Sequence, residues 1–222
     1  MMEGMLNLKE LKRLAKCAAP LVPKPRRDAG GCQYFTSQYI LIEPQMWEEN
    51  RLDAVYTNGR VLFRDVGVGD VGKEAEEWMS LGKGDTAYWA FLLPVAALKG
   101  IPVDTRGIGY VRFTVEDRDD GSGAVSFGQD GGTIECKLRG GMAVYPEWRK
   151  ALPEIKEPAE KFAVFDPVAY SAVCNFIADG WADSGIWVGR NSNPIQCAAG
   201  QNPPYIWGGY CDTSMAVMMP KR

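Results

Sequence analysis

Apolar residues near the amino terminus recur with the period of an α-helix. They fall on one face when successive residues are placed about 100° apart, and they are Leu8, Leu11, Leu14, Ala15 and Ala18. The opposite face carries the cations Lys9, Lys12, Arg13 and Lys16. Asn7 precedes the first apolar residue of the pattern, and Glu10 lies three residues after Asn7, which is the spacing of a capping box. The pattern therefore predicts an amphipathic helix that begins after Asn7.

Short apolar runs separated by Gly-, Asp- and Asn-rich segments predict β-strands over the rest of the chain. The predicted strands are Tyr39–Glu43, Leu52–Tyr56, Arg60–Val66, Tyr88–Leu92, Gly109–Glu116, Ala124–Gly128, Thr133–Leu138, Lys161–Phe165, Gly185–Gly189, Ile195–Ala198 and Met215–Met218. Asn58-Gly59 is a typical two-residue hairpin turn. Helices are predicted to begin at Pro94 and Pro167, because proline is tolerated at the first helical position, and Asp166 is a good N-cap for the later one. Residues 199–212 are interpreted as a loop inserted before the final strand.

Two tripeptides recur at one offset. Pro94-Val95-Ala96 returns as Pro167-Val168-Ala169, and Met142-Ala143-Val144 returns as Met215-Ala216-Val217, each 73 residues later. Each match also falls in the same predicted context, the first at a helix start and the second near the end of a group of strands. Two matches in one register indicate a duplicated unit of helix plus antiparallel sheet.

The repeat predicts an α+β fold with three such units. The first 86 residues form the most diverged unit and residues 87–156 the second, so 1–156 is predicted to be one domain. Residues 157–222 are predicted to form a further unit, which is a partial second domain.

Composition narrows the chemistry. The 222 residues contain no histidine and six scattered cysteines without a CxxC pair. Histidine is the commonest general base and metal ligand, so its absence argues against an enzyme, and no metal or organic cofactor is expected. The cysteines are interpreted as small core-filling thiols. No apolar run reaches the ~18 residues of a membrane span and no signal peptide is recognised, so cytoplasmic residence without a membrane partner is expected.

One glycine-rich segment suggests a different function. Gly67-Val-Gly-Asp-Val-Gly72 spells GxGxxG after a predicted strand, and with Lys73 it nearly spells a P-loop. Both patterns bring backbone N–H groups close to phosphate at a helix start. Glu74 stands where a P-loop needs Ser or Thr, and the surrounding hairpins are antiparallel, whereas a dinucleotide-binding unit is parallel. A Gly-rich connector is the preferred interpretation, and a nucleotide-binding enzyme using this loop is the remote alternative.

Four segments share one family's pattern in that family's order. They are Ala54-Val-Tyr-Thr-Asn-Gly-Arg-Val-Leu62, Phe91-Leu-Leu-Pro-Val-Ala-Ala-Leu98, Tyr145-Pro-Glu-Trp-Arg-Lys-Ala-Leu-Pro153 and Ala216-Val-Met-Met-Pro-Lys-Arg222. They resemble, respectively, the A-T-D-G-x-R-L hairpin, a Pro-started helix, the [FY]-P-[DE]-[YW]-R-x-x-[LI]-P segment and the terminal V-V-M-P-M-R of the bacterial DNA sliding clamp, the polymerase beta subunit. The chain is shorter than that clamp, and in this it is similar to abbreviated clamp-like proteins of phages and mobile elements.

The resemblance implies a processivity factor that encircles double-stranded DNA, contacts phosphate without reading sequence, and tethers polymerase or repair proteins to it. A net charge of −3 and a pI near 5.2 confine such contact to one face. The candidate DNA-facing residues are Lys9, Lys12, Arg13, Lys16, Lys24, Arg26, Arg27 and Lys99. A closed ring would need several copies of this chain, so a homo-oligomer is expected.

The resemblance also implies an apolar cleft that receives peptides from DNA polymerase and the clamp loader. By position, its lining here would be Thr57, Gly59, Leu62, Pro153, Val217 and Met219. The family's basic hairpin position falls on Arg60 or Val61, depending on register. The competing interpretations are that the charged stripe is a solvated helix face and that the cleft residues are packing residues. The alternative function is a non-encircling clamp-fold protein that binds a host clamp or its partners.

Overall fold

A computed structural model describes the chain over a set of separate ranges. They are residues 2–23, 37–45, 50–72, 90–101, 109–118, 122–128, 132–138, 145–146, 148–151, 166–182, 196–199, 205–208 and 214–218. The predicted strands Lys161–Phe165 and Gly185–Gly189 lie outside these ranges. Within them, none of the helices has the length and apolar character needed to cross a bilayer.

Helices and antiparallel strands alternate along the chain. The helices are α1 (Leu8–Ala18), α2 (Val95–Leu98) and α3 (Pro167–Ala182), and 3₁₀ turns occupy Ala19–Leu21 and Trp148–Ala151. The strands are β1 (Met2–Asn7), β2 (Tyr39–Pro44), β3 (Arg51–Thr57), β4 (Val61–Val71), β5 (Phe91–Pro94), β6 (Tyr110–Asp117), β7 (Ser122–Phe127), β8 (Thr133–Leu138), β9 (Gln196–Ala199), β10 (Tyr205–Gly208) and β11 (Ser214–Met218). The predicted α+β class is therefore confirmed.

The first eight strands close on themselves. Their order is β1-β6-β7-β8-β5-β2-β3-β4, and β4 pairs back with β1. The sheet also continues from β4 through β11 and β10 to β9. All of these pairings are antiparallel. The eleven strands thus form a closed part and a branch that leaves it at β4.

The closed part contains two units that exchange strands. In each unit one strand precedes the helix and three follow it: β1, α1 and β2–β4, then β5, α2 and β6–β8. The strand before each helix pairs with the first strand after the helix of the other unit. Thus β1 pairs with β6, and β5 pairs with β2. This reciprocal pairing ties the two units together. The domain limits 1–156 and 157–222 stay a prediction.

Strand β4 changes partners along its length. Its first part, Val61–Asp65, pairs with β11, and its last part, Gly69–Val71, pairs with β1. Between them Gly67 has a φ of 70° and donates its backbone N–H to Asp53 Oδ1 at 3.2 Å. The register with β3 also shifts between Leu52 and Ala54. This β-bulge bends β4 from the branch toward the closed part.

Two glycines permit the contact between β1 and β4. A Cβ added to Gly4 would lie 2.1 Å from the backbone oxygen of Asp70, and one added to Gly69 would lie 2.3 Å from that of Met5. Any side chain at either position would push the two backbones apart. Closure of the eight-stranded part therefore depends on glycine at both positions.

Strands β2–β5 carry buried residues on both faces, and β11 pairs beside them. Toward the helices, their side chains join α1, α2 and α3 in one cluster, here called the helix-side core, through Ile40, Ile42, Ala54, Tyr56, Val61, Phe63, Phe91, Leu93, Ala216 and Met218. On the opposite face a second group, here called the outer cluster, contains Leu41, Val55, Leu62, Ala90, Leu92, Tyr145 and Trp148, with Tyr39 and Met215 packed against it. Since successive side chains of a strand point to opposite faces, the runs of consecutive apolar residues in β2–β5 supply both clusters.

Several sequence predictions need correction. β1 was missed, because Met2–Asn7 shows little apolar alternation. β4 runs to Val71 rather than ending at Val66, and α2 is a single turn. Residues 205–208, predicted to belong to an inserted loop, form β10 between β9 and β11. Thr133–Leu138 is a strand with the bounds that the sequence predicts.

Candidate functional site

Helix α1 begins as its sequence predicts. The Asn7 side-chain oxygen accepts hydrogen bonds from the backbone N–H groups of Lys9 at 3.1 Å and Glu10 at 3.2 Å. The Glu10 carboxylate pairs with Arg13 at 2.7 Å, and the Gly109 carbonyl accepts from the N–H of Leu8, another donor of the first turn. The cap thus fixes which α1 residues point toward solvent.

The residues of the predicted cationic stripe differ in how far they are exposed. Lys9 and Lys16 are exposed on α1, and Lys99 is exposed after α2. Lys12 is half-buried, and its ammonium donates to the carbonyl of Ile101, which joins α1 to the segment after α2. The loop cations Lys24, Arg26 and Arg27 lie outside the described residues. The structure therefore leaves three exposed cations from this set on the helix side.

Arg13 has a role that the sequence analysis missed. Its side chain is only 9% exposed and makes ion pairs with Glu10 and Asp65. It also donates to the Phe176 carbonyl at 2.6 Å, and its guanidinium carbon lies 4.7 Å from the centre of the Phe176 ring. Burial acts to lower the pKa of Arg13, but the charges of Asp65 and Glu10 outweigh it and raise that pKa. Arg13 therefore joins α1, β4 and α3 and is not presented to solvent as a DNA contact.

Helix α3 is held by its apolar face. Asp166 caps it as predicted, accepting from the N–H groups of Val168 at 2.9 Å and Ala169 at 3.1 Å. Phe176 is fully buried, and its ring stacks on that of Phe63 with 4.7 Å between centroids. Val168 and Tyr170 are about half exposed, at 51% and 47%. The sequence of α3 contains no lysine or arginine, so this helix adds no cation to a DNA-facing surface.

Three of the predicted cleft residues lie in one row across three strands. Thr57 of β3 is the partner of Leu62 of β4, and Leu62 is in turn the partner of Val217 of β11. Leu62 belongs to the outer cluster, at 4% exposure, and Thr57 is 7% exposed. Pro153 and Met219 lie outside the described residues. The fold thus brings together residues 160 positions apart in the chain, because β4 and β11 are neighbours.

The hairpin beside this row is built by its own side chains. Thr57 Oγ1 donates to the Val61 carbonyl at 3.0 Å and accepts from the Gly59 N–H at 3.2 Å, while Asn58 Oδ1 accepts from Arg60 and Val61. Asn58 and Val61 pair, so the two loop residues are Gly59 and Arg60, one position later than predicted. Gly59 takes the required positive φ of 81°. Val61 is buried in the helix-side core, which leaves Arg60 as the exposed basic residue of the hairpin.

Tyr145 fastens the Tyr145–Pro153 segment to the outer face of the sheet. Its hydroxyl donates to the Val55 carbonyl and accepts from the Thr57 N–H, both at 3.0 Å. Tyr145 is 2% exposed, and burial raises the pKa of its hydroxyl. The hydrogen bond to Thr57 places this anchor next to the Thr57–Leu62–Val217 row.

Charged groups surround Trp148 in the same segment. The Trp148 indole donates to Glu43 at 2.7 Å, and Arg149 binds the same carboxylate at 2.9 Å. Arg64 binds Asp53 at 2.7 Å and lies over the Trp148 ring at 5.3 Å, while Arg149 lies over it at 4.5 Å. Arg64, Glu43 and Asp53 were not among the candidate residues predicted from the sequence. Their only signal was a charged residue within an otherwise apolar strand.

The glycine-rich pattern 67–72 is not a phosphate site. Gly67–Val71 is part of antiparallel β4, and its backbone donors are used within the protein. Gly67 N–H binds the Asp53 carboxylate, Val71 N–H binds the Asn50 carbonyl at 2.9 Å, and Gly72 N–H binds the Glu3 carbonyl at 3.0 Å. Residues 67–71 therefore lack the loop before a helix on which the nucleotide-binding alternative depends. Among the described residues, no group of three or more Cys, Asp or Glu side chains is placed to hold a metal ion.

Comparison with known proteins identifies the architecture. No family model and no curated protein matches the sequence. Solved structures do match: the DNA polymerase III subunit beta of Pseudomonas aeruginosa aligns with 100% of this chain and 67% of its own length, at a TM-score of 0.61 and 12% identity. The sliding clamp of Bacillus subtilis aligns with 100% and 65%, at 0.55 and 6% identity. The beta subunit of Thermotoga maritima aligns with 99% and 64%, at 0.52 and 11% identity.

The chain has the sliding-clamp fold. It spans 64–67% of the length of the three clamps. Two of the segments that resemble the clamp in sequence are neighbours in this clamp fold, since Ala54–Leu62 contains the β3–β4 hairpin and Ala216–Met218 lies in β11 beside it. The candidate cleft of the clamp fold therefore lies on the outer face of the sheet, and the candidate DNA face lies on the helix side.

Proposed function

We propose that this chain is a non-catalytic, clamp-like tether that holds partner proteins on double-stranded DNA. The observation that carries the proposal is the Thr57–Leu62–Val217 row, which joins the hairpin to the final strand within a clamp fold. A partner peptide from a polymerase or clamp loader binds along this row, next to the exposed hairpin residues Gly59 and Arg60. DNA lies on the opposite, helix side and is held through phosphate, without base readout.

The peptide site is supported by the chemistry of the outer cluster. Leu62 and Val55 are buried in this cluster, the partly buried Met215 packs against them, and the Tyr145 hydroxyl binds the backbone of Thr57 beside them. A flexible methionine beside fixed aliphatic side chains accommodates different apolar anchors. The row is therefore suited to apolar anchors of peptides from more than one partner.

Deleting residues 219–222 tests the peptide site. The deletion removes the predicted cleft residue Met219 and leaves every described strand intact. We expect binding of a fluorescent peptide with leucine and phenylalanine anchors to fall at least tenfold, measured by anisotropy, while the thermal unfolding midpoint stays near that of the full chain. Unchanged peptide affinity in a folded deletion variant would contradict the cleft assignment.

Replacing the exposed cations tests the DNA face. Changing Lys9, Lys16 and Lys99 to Ala should weaken retention on duplex DNA and lower the slope of log affinity against log salt, because each phosphate contact contributes close to one unit of that slope. Arg112→Ala is a control for the loss of one exposed cation on the outer face of the sheet, since the Arg112 side chain is 67% exposed. Equal retention in the triple variant and the control would remove the DNA face.

A second candidate function is a clamp-fold protein that binds partners without encircling DNA. Two observations favour it: Lys12 and Arg13 are engaged inside the protein, and α3 carries no cation. Solution mass by light scattering separates the two functions. A discrete oligomer that stays on circular DNA and is released by linearising the DNA supports encirclement. A monomer that binds peptide but is not retained on circular DNA supports the second candidate.

A further inference from the structure

Cations lie on the aromatic rings of the outer cluster. Arg64 and Arg149 lie over the two-ring system of Trp148, at 5.3 and 4.5 Å. Lys137 of β8 lies 5.8 Å from the ring centre of Tyr39, which packs against the same cluster. A fourth cation, Arg60, is exposed at the tip of the β3–β4 hairpin. The apolar surface assigned to the partner peptide is therefore bordered by positive charge.

The carboxylates in this region lie beneath the arginines. Asp53 and Glu43 are 0% and 1% exposed, whereas the side chains of their partners Arg64 and Arg149 are 22% and 34% exposed. Asp53 also accepts from Gln45 and Gly67, and Glu43 accepts from Trp148. The acids are thus saturated from within the protein, and a ligand approaching from solvent meets the guanidinium groups first.

Among the described residues, the ion pairs of these arginines use only some of their hydrogen-bond donors. A guanidinium has five N–H donors in a planar fork that matches a carboxylate. Arg64 uses Nε and Nη2 on one oxygen of Asp53, at 3.0 and 2.7 Å, and Arg149 uses Nη2 on Glu43. A second carboxylate can therefore bind the remaining donors without displacing the buried acids.

We propose that the outer cluster selects acidic partner peptides, in which carboxylates flank the apolar anchors. This inference rests on the proposed peptide site and adds the chemistry of its partner. The apolar anchors bind the Leu62 row and supply most of the affinity, while Arg60, Arg64 and Arg149 select acidic over neutral or basic flanks. Charge at the rim of a binding surface acts mainly on the association rate and on specificity.

Three peptides with the same leucine and phenylalanine anchors test the preference. Their flanking residues are Asp and Glu in the first, Asn and Gln in the second, and Lys in the third. At ~50 mM salt we expect the acidic peptide to bind about 3- to 10-fold more tightly than the amide peptide, with the basic peptide weakest, as for a few partly exposed charge contacts. The preference should shrink below about twofold near 1 M salt, where the Debye length is ~3 Å.

Variants assign the preference to named residues. Arg60→Gln should lower the acid-over-amide ratio while leaving affinity for the amide peptide within about twofold, because Arg60 is exposed. Arg149→Gln should lower the ratio further, and Arg149→Lys should restore part of it by keeping the charge. Arg112→Gln is the matched control, an exposed arginine on the outer face of β6 paired with Glu3, and it should leave the ratio unchanged.

The possible results distinguish failure of the acidic preference from failure of the proposed peptide site. If none of the three peptides binds the full chain, the proposed peptide site fails and the preference fails with it. If the acidic and amide peptides bind equally at low salt, the site stands and the acidic preference is wrong. If the preference survives both Arg60→Gln and Arg149→Gln in variants with the normal unfolding midpoint, the assignment to these arginines is overturned.

Discussion

The outer face of the sheet is exposed to solvent in one part and buried in another. In β6–β8 the buried residues Phe113, Phe127 and Ile134 alternate with polar ones, and the outer face carries exposed ion pairs such as Arg118 with Glu135 at 3.1 Å. In β2–β5 the outer face carries the outer cluster, and its carboxylates Asp53 and Glu43 are buried, at 0% and 1% exposure. One antiparallel sheet thus has a solvated part and a doubly buried part. The doubly buried part is the one that provides the candidate partner site.

The largest loss of unfolding free energy is expected when a buried ion pair is broken, and breaking an exposed pair should cost much less. Arg13→Ala removes the ion pair with Asp65, which is buried at 4% exposure, and it removes the contact with Phe176. Breaking a buried pair in this way costs about 3–5 kcal/mol, whereas an exposed pair such as Arg112 with Glu3 contributes about 0.2–1 kcal/mol. Urea unfolding of Arg13→Ala and Arg112→Ala measures both. Similar losses in the two variants would contradict the difference between the two environments.

The crossing of β1 and β4 should be the next most sensitive place. Gly4→Ala puts a Cβ where the Asp70 carbonyl oxygen now lies, so the two strands must separate. Overpacking of this kind costs about 1–3 kcal/mol or more. Gly72→Ala is the control, because its Cβ would meet the Glu3 carbonyl at an ordinary 3.6 Å. Thermal unfolding should show a clear drop for Gly4→Ala and a small change for Gly72→Ala; a reversed order would overturn the account of closure.

Two buried tyrosines sharpen the contrast between the two faces. Tyr145→Phe leaves the Val55 carbonyl and the Thr57 N–H of the outer face without their partner, which should cost about 1–3 kcal/mol. Tyr56→Phe, in the helix-side core, removes a hydroxyl that has no hydrogen-bond partner among the described residues, so its unfolding free energy should stay equal or rise. Denaturant midpoints of the two variants measure the difference. A larger loss of stability in Tyr56→Phe than in Tyr145→Phe would contradict the prediction.

The same tyrosines predict how stability depends on alkaline pH. Burial raises the pKa of Tyr56 and of Tyr145, so the folded protein keeps both protons at a pH where the unfolded chain, with an ordinary tyrosine pKa of about 10, releases them. Their effect on stability is absent below pH ~10, and above it stability falls by about 1.4 kcal/mol per pH unit for each tyrosine. Tyr145→Phe should make the fall of unfolding free energy with pH less steep, because one of the two tyrosines no longer contributes. Urea unfolding between pH 9 and 11 measures this slope. An unchanged slope would exclude Tyr145 as a source.

Local chemistry made part of the fold predictable. Asn7 and Asp166 identified the starts of α1 and α3, because a side-chain acceptor before an apolar-periodic stretch satisfies free backbone N–H groups. The repeat starting at Pro94 and Pro167 matched two helix starts, and the alternation in Thr133–Leu138 gave the bounds of β8. These signals work because they depend on residues within a few positions of one another. The α+β class and the clamp resemblance followed from such signals.

Contacts between distant segments decided the rest. The sequence by itself determined the helix caps, most strands and the two apolar residues of the candidate row, Leu62 and Val217. Only the tertiary structure placed Val217 beside Leu62, turned Arg13 from a predicted DNA contact into a buried link to Asp65 and Phe176, and made Gly67–Val71 a strand. The reason is physical: a charged or glycine residue has the same local signature in solvent and in a packed interface. Its role depends on which partners the chain brings to it.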